Sequence, residues 1–329
     1  MARFKDFNPA GVIPATLLAF NDDHAINWAE TTRHLTQVAA TPGIAAITVN
    51  GHASEVHACS FDEQREILDR TLDDIGDNLP VIAGVFADAS HDAARLAKMS
   101  TDAGASALLV FPSGVLAMGG ERRPEMAEAH FQAVADASDL PLICFNYARW
   151  TNLAYPLETI IRLGDKIPTL KAIKDWTAEP MEHERNIRTL QSLSRPINVL
   201  STNSAWLMAS LSMGAAGLLS GAGSIIPDLQ VAMFQAIQRG DLNAARAIND
   251  RMQPITQAFY APPFLDMHNR MKEAAVLLGR QDRAVVRPPL VKIPQAEIER
   301  IGAALDQAGI HHDGAEDIEL AGATGLAAE

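Results

Sequence analysis

Eight short apolar runs, β-branched or leucine-rich, punctuate the chain at 11–16, 43–51, 79–85, 105–112, 140–147, 169–175, 197–202 and 215–221. Most of them end in Gly, Pro, Asn, Ser or Thr, the residues that stop strands. Between them lie amphipathic stretches, among them Asn27 to Ala39, Phe61 to Ile75, Asp88 to Ala103, Arg123 to Ala137 and Glu179 to Ser194. Each is long enough for a helix of about three or four turns. Successive runs start about 26 to 36 residues apart, closer at the last pair, which suits βα units of a parallel sheet rather than hairpins. Eight such units predict an α/β fold, a (β/α)8 TIM barrel. Four further helical stretches follow, Pro227 to Arg239, Leu242 to Phe259, Pro263 to Leu278 and Gln295 to Ala308, set apart by Gly240-Asp241, Pro262-Pro263 and Pro288-Pro289. The first completes the barrel. The expected organisation is a barrel over 1–239, a C-terminal helical appendix over 240–310, and an acidic tail over 311–329 that lacks Lys and Arg and is expected to be mobile.

Composition narrows the classes. With 48% hydrophobic and 20% charged residues in 329, the chain has the makings of a sizeable core. A net charge of −13, with no basic run among aromatics, argues against a nucleic-acid partner. Cys59 and Cys144 are too few for a disulfide framework. No secretory pattern opens the sequence and no apolar run is long enough to span a bilayer, so the expectation is a cytoplasmic protein without a membrane partner.

Barrel chemistry gathers at the C-terminal ends of the strands. Those ends offer Thr16, the segment Gly51-His52-Ala53-Ser54-Glu55, Phe111-Pro112-Ser113-Gly114, Phe145-Asn146-Tyr147, Lys174, Thr202-Asn203 and Ser220-Gly221. One amine stands among neutral donors, with no acidic cluster for a metal, and no cofactor is implied. In Thr169 to Trp176, strand alternation puts Ala172 and Lys174 on one face and Lys171, Ile173 and Asp175 on the other. Only one lysine can therefore face the interior, and Lys174 is the choice. A lysine desolvated there has its pKa lowered toward a neutral nucleophile, the state that imine formation needs. The alternative is a strand-end lysine reaching solvent. A metal site on His52 and His57 has little support, because four loop residues intervene and no partnered Asp or Glu accompanies them, and one on His311-His312 in the acidic tail has less.

In their order and spacing these words resemble the dihydrodipicolinate synthase and N-acetylneuraminate lyase family of class I, pyruvate-handling aldolases, from about Gly11 to Ile310. Gly11-Val12-Ile13-Pro14-Ala15 is similar to the family's opening strand, Phe145-Asn146 sits where Tyr-Asn is usual, and Gly214-Ala215-Ala216-Gly217 with Ser220 resembles its eighth-strand signature. Ile173-Lys174-Asp175 resembles the Schiff-base lysine followed by an acid. The resemblance implies a barrel with a three-helix appendix, a homotetramer, and Lys174 as the imine-forming residue. It also implies that main-chain N–H groups of His52 and Ala53 hold a pyruvate carboxylate, with Ser220 beside the substrate and Glu55 bracing the loop.

The departures are local. Phe145 replaces a proton-passing tyrosine, Gly51-His52-Ala53-Ser54-Glu55 stands for Gly-Thr-Thr-Gly-Glu, and Ser113-Gly114 takes the place of a second tyrosine. Trp150, with Arg149 one place earlier, falls where a substrate-binding arginine is usual. These changes point away from lysine biosynthesis. Tyr147, two residues beyond Phe145, and His52 are then rival candidates for the proton carrier. The function implied is a Schiff-base lyase or aldolase on pyruvate or a related 2-oxo acid. A 2-keto-3-deoxy sugar acid dehydratase and a non-catalytic 2-oxo acid binding protein are the alternatives.

Overall fold

The computed structural model describes residues 3, 4 and 6–312, so most of the expected tail, from 313 on, lies outside the described residues. The described residues form eight strands: β1 (Gly11–Pro14), β2 (Ile47–Val49), β3 (Val81–Val85), β4 (Ala107–Val110), β5 (Leu142–Asn146), β6 (Leu170–Asp175), β7 (Asn198–Ser201) and β8 (Gly217–Ser220). All pair in parallel in the order β1-β8-β7-β6-β5-β4-β3-β2. The two ends of that sheet meet through bridges from Val12 to Ile44 and Ala15 to Thr48, and the N–H of Thr16 donates to the carbonyl of Thr48 at 3.0 Å. This closes a (β/α)8 barrel. Its strands are buried nearly throughout, as a sheet covered by helices requires.

The helices between strands are α1 (Trp28–Ala39), α2 (Phe61–Ile75), α3 (Ser90–Ala103), α4 (Pro124–Ala137), α5 (Leu157–Lys166), α6 (Pro180–Leu190) and α7 (Leu207–Ser212), and α8 (Pro227–Gln238) follows β8. Good capping sets the start of α2, where Ser60 and Glu63 form a reciprocal capping box. Then come α9 (Leu242–Phe259), α10 (Met267–Leu277) and α11 (Gln295–Gln307).

Most elements are trimmed by a few residues at their ends, and two depart further from expectation. The run 43–51 yields a strand only at Ile47–Val49, because positive φ at Gly43 (92°) and Asn50 (53°) bends the chain at both ends. The stretch Pro263 to Leu278 is not one helix. Pro263 is extended (φ −73°, ψ 137°), and a tight turn at Phe264–Asp266 precedes α10 and carries Phe264 onto Trp150.

α10 and the segment after it lie across the barrel mouth. Lys272 forms a buried ion pair with Glu55 and donates to the carbonyl of Val285 at 2.8 Å. Arg287 donates to the carbonyls of His24 and Ala58 and pairs with Glu63. Glu55, at φ 51°, also accepts from the N–H of Arg287 at 2.9 Å. The loop after β2 is thereby tied to the C-terminal helices.

Candidate active site

Register decides what faces the barrel interior. On β6, Lys174 pairs with Phe145 of β5 and Leu200 of β7, and its side chain points inward while Asp175 points outward to α6. Lys174 is 4% exposed and makes no ion pair among the described residues. Its Nζ sits 4.1 Å from the centroid of the Phe145 ring. Burial without a carboxylate lowers its pKa from 10.5 to about 7, so a neutral amine is present at ordinary pH. Lys171, on the other face of the strand, is only half-buried.

Asp175 fixes the corner that presents this amine. Its carboxylate accepts from Thr177 Oγ1 at 2.5 Å, the Thr177 N–H at 3.1 Å, Asn146 Nδ2 at 3.2 Å, Asn186 Nδ2 at 3.1 Å and His183 Nδ1 at 2.8 Å. Burial alone would raise the carboxyl pKa; the hydrogen bonds from His183, Thr177 and Asn186 outweigh it and hold the group ionised.

Opposite lies the turn after β2. Gly84 on β3 allows it to approach, since a Cβ there would lie 1.8 Å from the carbonyl oxygen of Asn50. Within the turn, Ser54 and Val56 donate to the carbonyl of Gly51, and Glu55 donates to that of His52. The N–H groups of His52 and Ala53 have no hydrogen-bond partner among the described residues, so a pair of main-chain donors stands available there. Ala53 itself is 1% exposed, and Ser54 is tied to the carbonyl of Thr16 at 2.9 Å.

The two rival proton carriers turn out to be joined. Tyr147 lies just beyond β5, its ring 4.4 Å from that of Phe145, and its hydroxyl is 2.6 Å from His52 Nε2. Burial raises the phenol pKa, so the group is held protonated. Burial, and then the charge of Lys174, keeps the His52 imidazole well below its usual pKa. A phenol donating to Nε2 leaves the ring proton on Nδ1.

Ser220 stands behind the cavity wall rather than on it. Its Oγ lies 2.6 Å from Ser204 Oγ and accepts from Gln230 Nε2 at 3.1 Å, and Ser204 in turn accepts from the Tyr260 hydroxyl at 3.2 Å. Tyr260, which follows α9, lines a small chamber of 20 Å³ together with Lys174, Phe145, Thr202 and Gly221. His268 of α10 lines it as well, its ring 6.2 Å from His52, and burial followed by the Lys174 charge pushes its pKa down to about 3. Sequence reasoning did not single out Tyr260 or His268. The only available signal for Tyr260 was that the chain has three tyrosines.

Above the chamber opens a cavity of 430 Å³. His52, Trp176, Met267 and His268 line both spaces, so they form the boundary between them. Near the fourth strand, Ser113 and Gly114 are pinned to Asp88 and take no part in the chamber walls. Among the described residues there is no group of three or more His, Cys, Asp or Glu placed to hold a metal ion. No described helix is long and apolar enough to cross a membrane.

Comparison with known proteins converges on one family. Residues 8–308 match the model of the dihydrodipicolinate synthetase family. A 4-hydroxy-tetrahydrodipicolinate synthase of Bartonella bacilliformis is 25% identical over 300 residues, covering 91% of this chain and 98% of its own. Another, from Nitratidesulfovibrio vulgaris, is 28% identical over 280 residues, covering 84% and 91%. Among solved structures, a prophage protein of the dihydrodipicolinic acid synthase family from E. coli K12, in complex with pyruvate, superposes with a TM-score of 0.84 at 20% identity, covering 92% and 99%. A monomeric dihydrodipicolinate synthase variant gives a TM-score of 0.84 at 21% identity, covering 94% and 99%. Fold, family match and relatives agree: the chain belongs to the dihydrodipicolinate synthetase family and is an enzyme of the class I aldolase and lyase type.

Proposed function

We propose that this enzyme forms an imine between Lys174 and pyruvate or a related 2-oxo acid, and that it makes or breaks a bond at C3 through the derived enamine. The observation that carries this reading is a buried amine, free of any ion pair among the described residues, facing the barrel interior near the C-terminal end of β6. The pyruvate complex of a protein with the same fold supports the ligand.

The neutral Nζ attacks C2 of the oxo acid, giving a carbinolamine that loses water to become the imine. The carboxylate is held on the N–H groups of His52 and Ala53, which needs no cationic side chain. Loss of a C3 proton then gives the enamine. Tyr147 and His52 work together in moving these protons, since 2.6 Å separates the phenol from the imidazole. The chain Gln230–Ser220–Ser204 sets the position of the Tyr260 hydroxyl at the chamber floor. A cytoplasmic homotetramer is the proposed working form, which light scattering checks against the 35.4 kDa of one chain.

Borohydride reduction in the presence of pyruvate tests the chemistry. The adduct is expected on Lys174 by mass spectrometry, abolished in Lys174→Ala and retained in Lys171→Ala. An adduct on Lys171 would overturn the assignment.

A further inference from the structure

We propose that the 430 Å³ cavity above Lys174 receives the ring of an aryl aldehyde, so that the enzyme joins pyruvate to, or releases it from, an aromatic partner. This rests on the imine reading above and names the partner substrate.

The walls decide the class. Trp150 and Phe264 stack at 5.3 Å with their planes 22° apart, and Trp176 meets Trp150 edge-on at 5.3 Å. Phe86, Leu265 and Leu290 extend the same lining. Trp150 and Leu265 are 54% and 69% exposed, an apolar face that a bound ring would cover. Among the described residues, no lysine or arginine lines the cavity. Arg149, the nearest cation in sequence to Trp150, is committed to Glu182 by two hydrogen bonds of 2.7 and 2.8 Å. A second carboxylate or a phosphate on the partner would find no countercharge.

A polyhydroxylated partner fares no better. Among the described residues the one hydroxyl on the cavity wall is that of Thr151, which already donates to the carbonyl of Ala148 at 2.6 Å and accepts from the N–H of Leu153 at 3.2 Å. Glu55 is paired with Lys272, and burial lowers the pKa of His52, His57 and His268, leaving neutral imidazoles facing the cavity. The four residues shared with the Lys174 chamber make the aromatic space continuous with the reacting amine.

The step balances without a co-reactant. The enamine C3 attacks the aldehyde carbon, forming one C–C bond, and the carbonyl π pair becomes an alkoxide that takes a proton. One water then hydrolyses the imine, releasing a 4-aryl-4-hydroxy-2-oxo acid and the free Lys174 amine. The reverse sequence is a retro-aldol cleavage.

Two measurements test the proposal, one of them independent of the imine. Tryptophan fluorescence titrated with benzyl alcohol, which cannot form an imine, is expected to saturate in both the wild type and Lys174→Ala and to lose saturation in Trp150→Ala. Turnover of pyruvate with benzaldehyde is expected to exceed that with glyceraldehyde or aspartate semialdehyde by about tenfold or more in kcat/KM. If pyruvate is trapped on Lys174 while benzyl alcohol does not bind, or if a polar aldehyde is preferred, the aryl site is overturned and the imine reading stands. If benzyl alcohol binds but pyruvate is not trapped, the imine reading fails and the aldol step with it. A mass of two or more chains, with fluorescence that tracks protein concentration and ignores benzyl alcohol, assigns the aromatic face to a second copy and overturns the proposal.

Discussion

Two lysines are buried within the same mouth of the barrel and differ in one respect. Lys174 lies 4.1 Å from the Phe145 ring and Lys272 lies 4.3 Å from the Phe20 ring, and neither is more than 4% exposed. Lys272 has Glu55 as an ion-pair partner and the Val285 carbonyl as an acceptor; Lys174 has neither kind of partner among the described residues. Burial lowers the pKa of both, but for Lys272 the Glu55 carboxylate pulls back toward the charged form, while for Lys174 nothing opposes it. A partner makes one amine a fastener between the β2 loop and α10. Its lack leaves the other an amine available for chemistry.

Replacing each lysine by methionine separates the roles most sharply. Lys174→Met is expected to lose all borohydride trapping and turnover while keeping or raising the melting temperature, because a costly buried amine gives way to an apolar chain of similar length. Lys272→Met is expected to lose about 3–5 kcal/mol of stability, since it removes one partner of a buried ion pair and leaves Glu55 without its cation. Chemical denaturation reads that loss, and Glu55→Gln added to Lys272→Met should recover part of it. Equal stabilities for the two single variants would erase the distinction.

How far such a contrast could be read from sequence depends on whether it is local. Strand alternation separates Lys174 from Lys171 because period-2 geometry acts within one octapeptide, and eight apolar runs at βα spacing suffice for the barrel. Asp175 carried a weaker signal, as its partners His183 and Asn186 lie one helix away. The partner of Lys272 is Glu55, 217 residues distant, and no periodicity spans that interval. His268 and Tyr260 were opaque for the same reason. They reach the chamber only because α9 and α10 fold back over the mouth, a tertiary fact without a motif. Helix boundaries failed where packing won, as at Phe264, which leaves the α10 pattern to stack on Trp150.

Tyr147→Phe removes one hydroxyl from the pair with His52 and little volume. Steady-state turnover is expected to fall about 10²-fold, with trapping on Lys174 still observable, because the amine itself is untouched. Unchanged turnover in Tyr147→Phe, with collapse in His52→Ala, would transfer the proton-carrying role to the histidine alone.

The difference between the two amines also shows as a slope against pH. Lys174 must be neutral to attack, and its pKa is lowered from 10.5 to about 7. The initial rate of trapping should therefore rise about tenfold per pH unit up to about pH 7 and level off above it. Stability carries the same signature with a definite sign. A lowered lysine pKa means that the unfolded chain holds the proton more tightly between about 7 and 10.5, so this group's penalty is full below about pH 7 and fades as pH rises through that window. The gain in melting temperature from Lys174→Met should be largest below pH 7 and shrink toward alkaline pH. Asp175, on the other face of β6, acts in the opposite sense. Its folded pKa is lowered, so its stabilisation is present above the ordinary aspartate value of 3.8 and is lost as pH falls below it. Below about pH 7 the slope of stability with pH should thus be the same in Lys174→Met as in the wild type, offset only by a constant gain, and should change in His183→Ala, which removes one of the bonds holding the Asp175 carboxylate ionised. A trapping rate that begins to climb only above pH 9 would put Lys174 near the ordinary lysine value and dissolve the difference between the two amines.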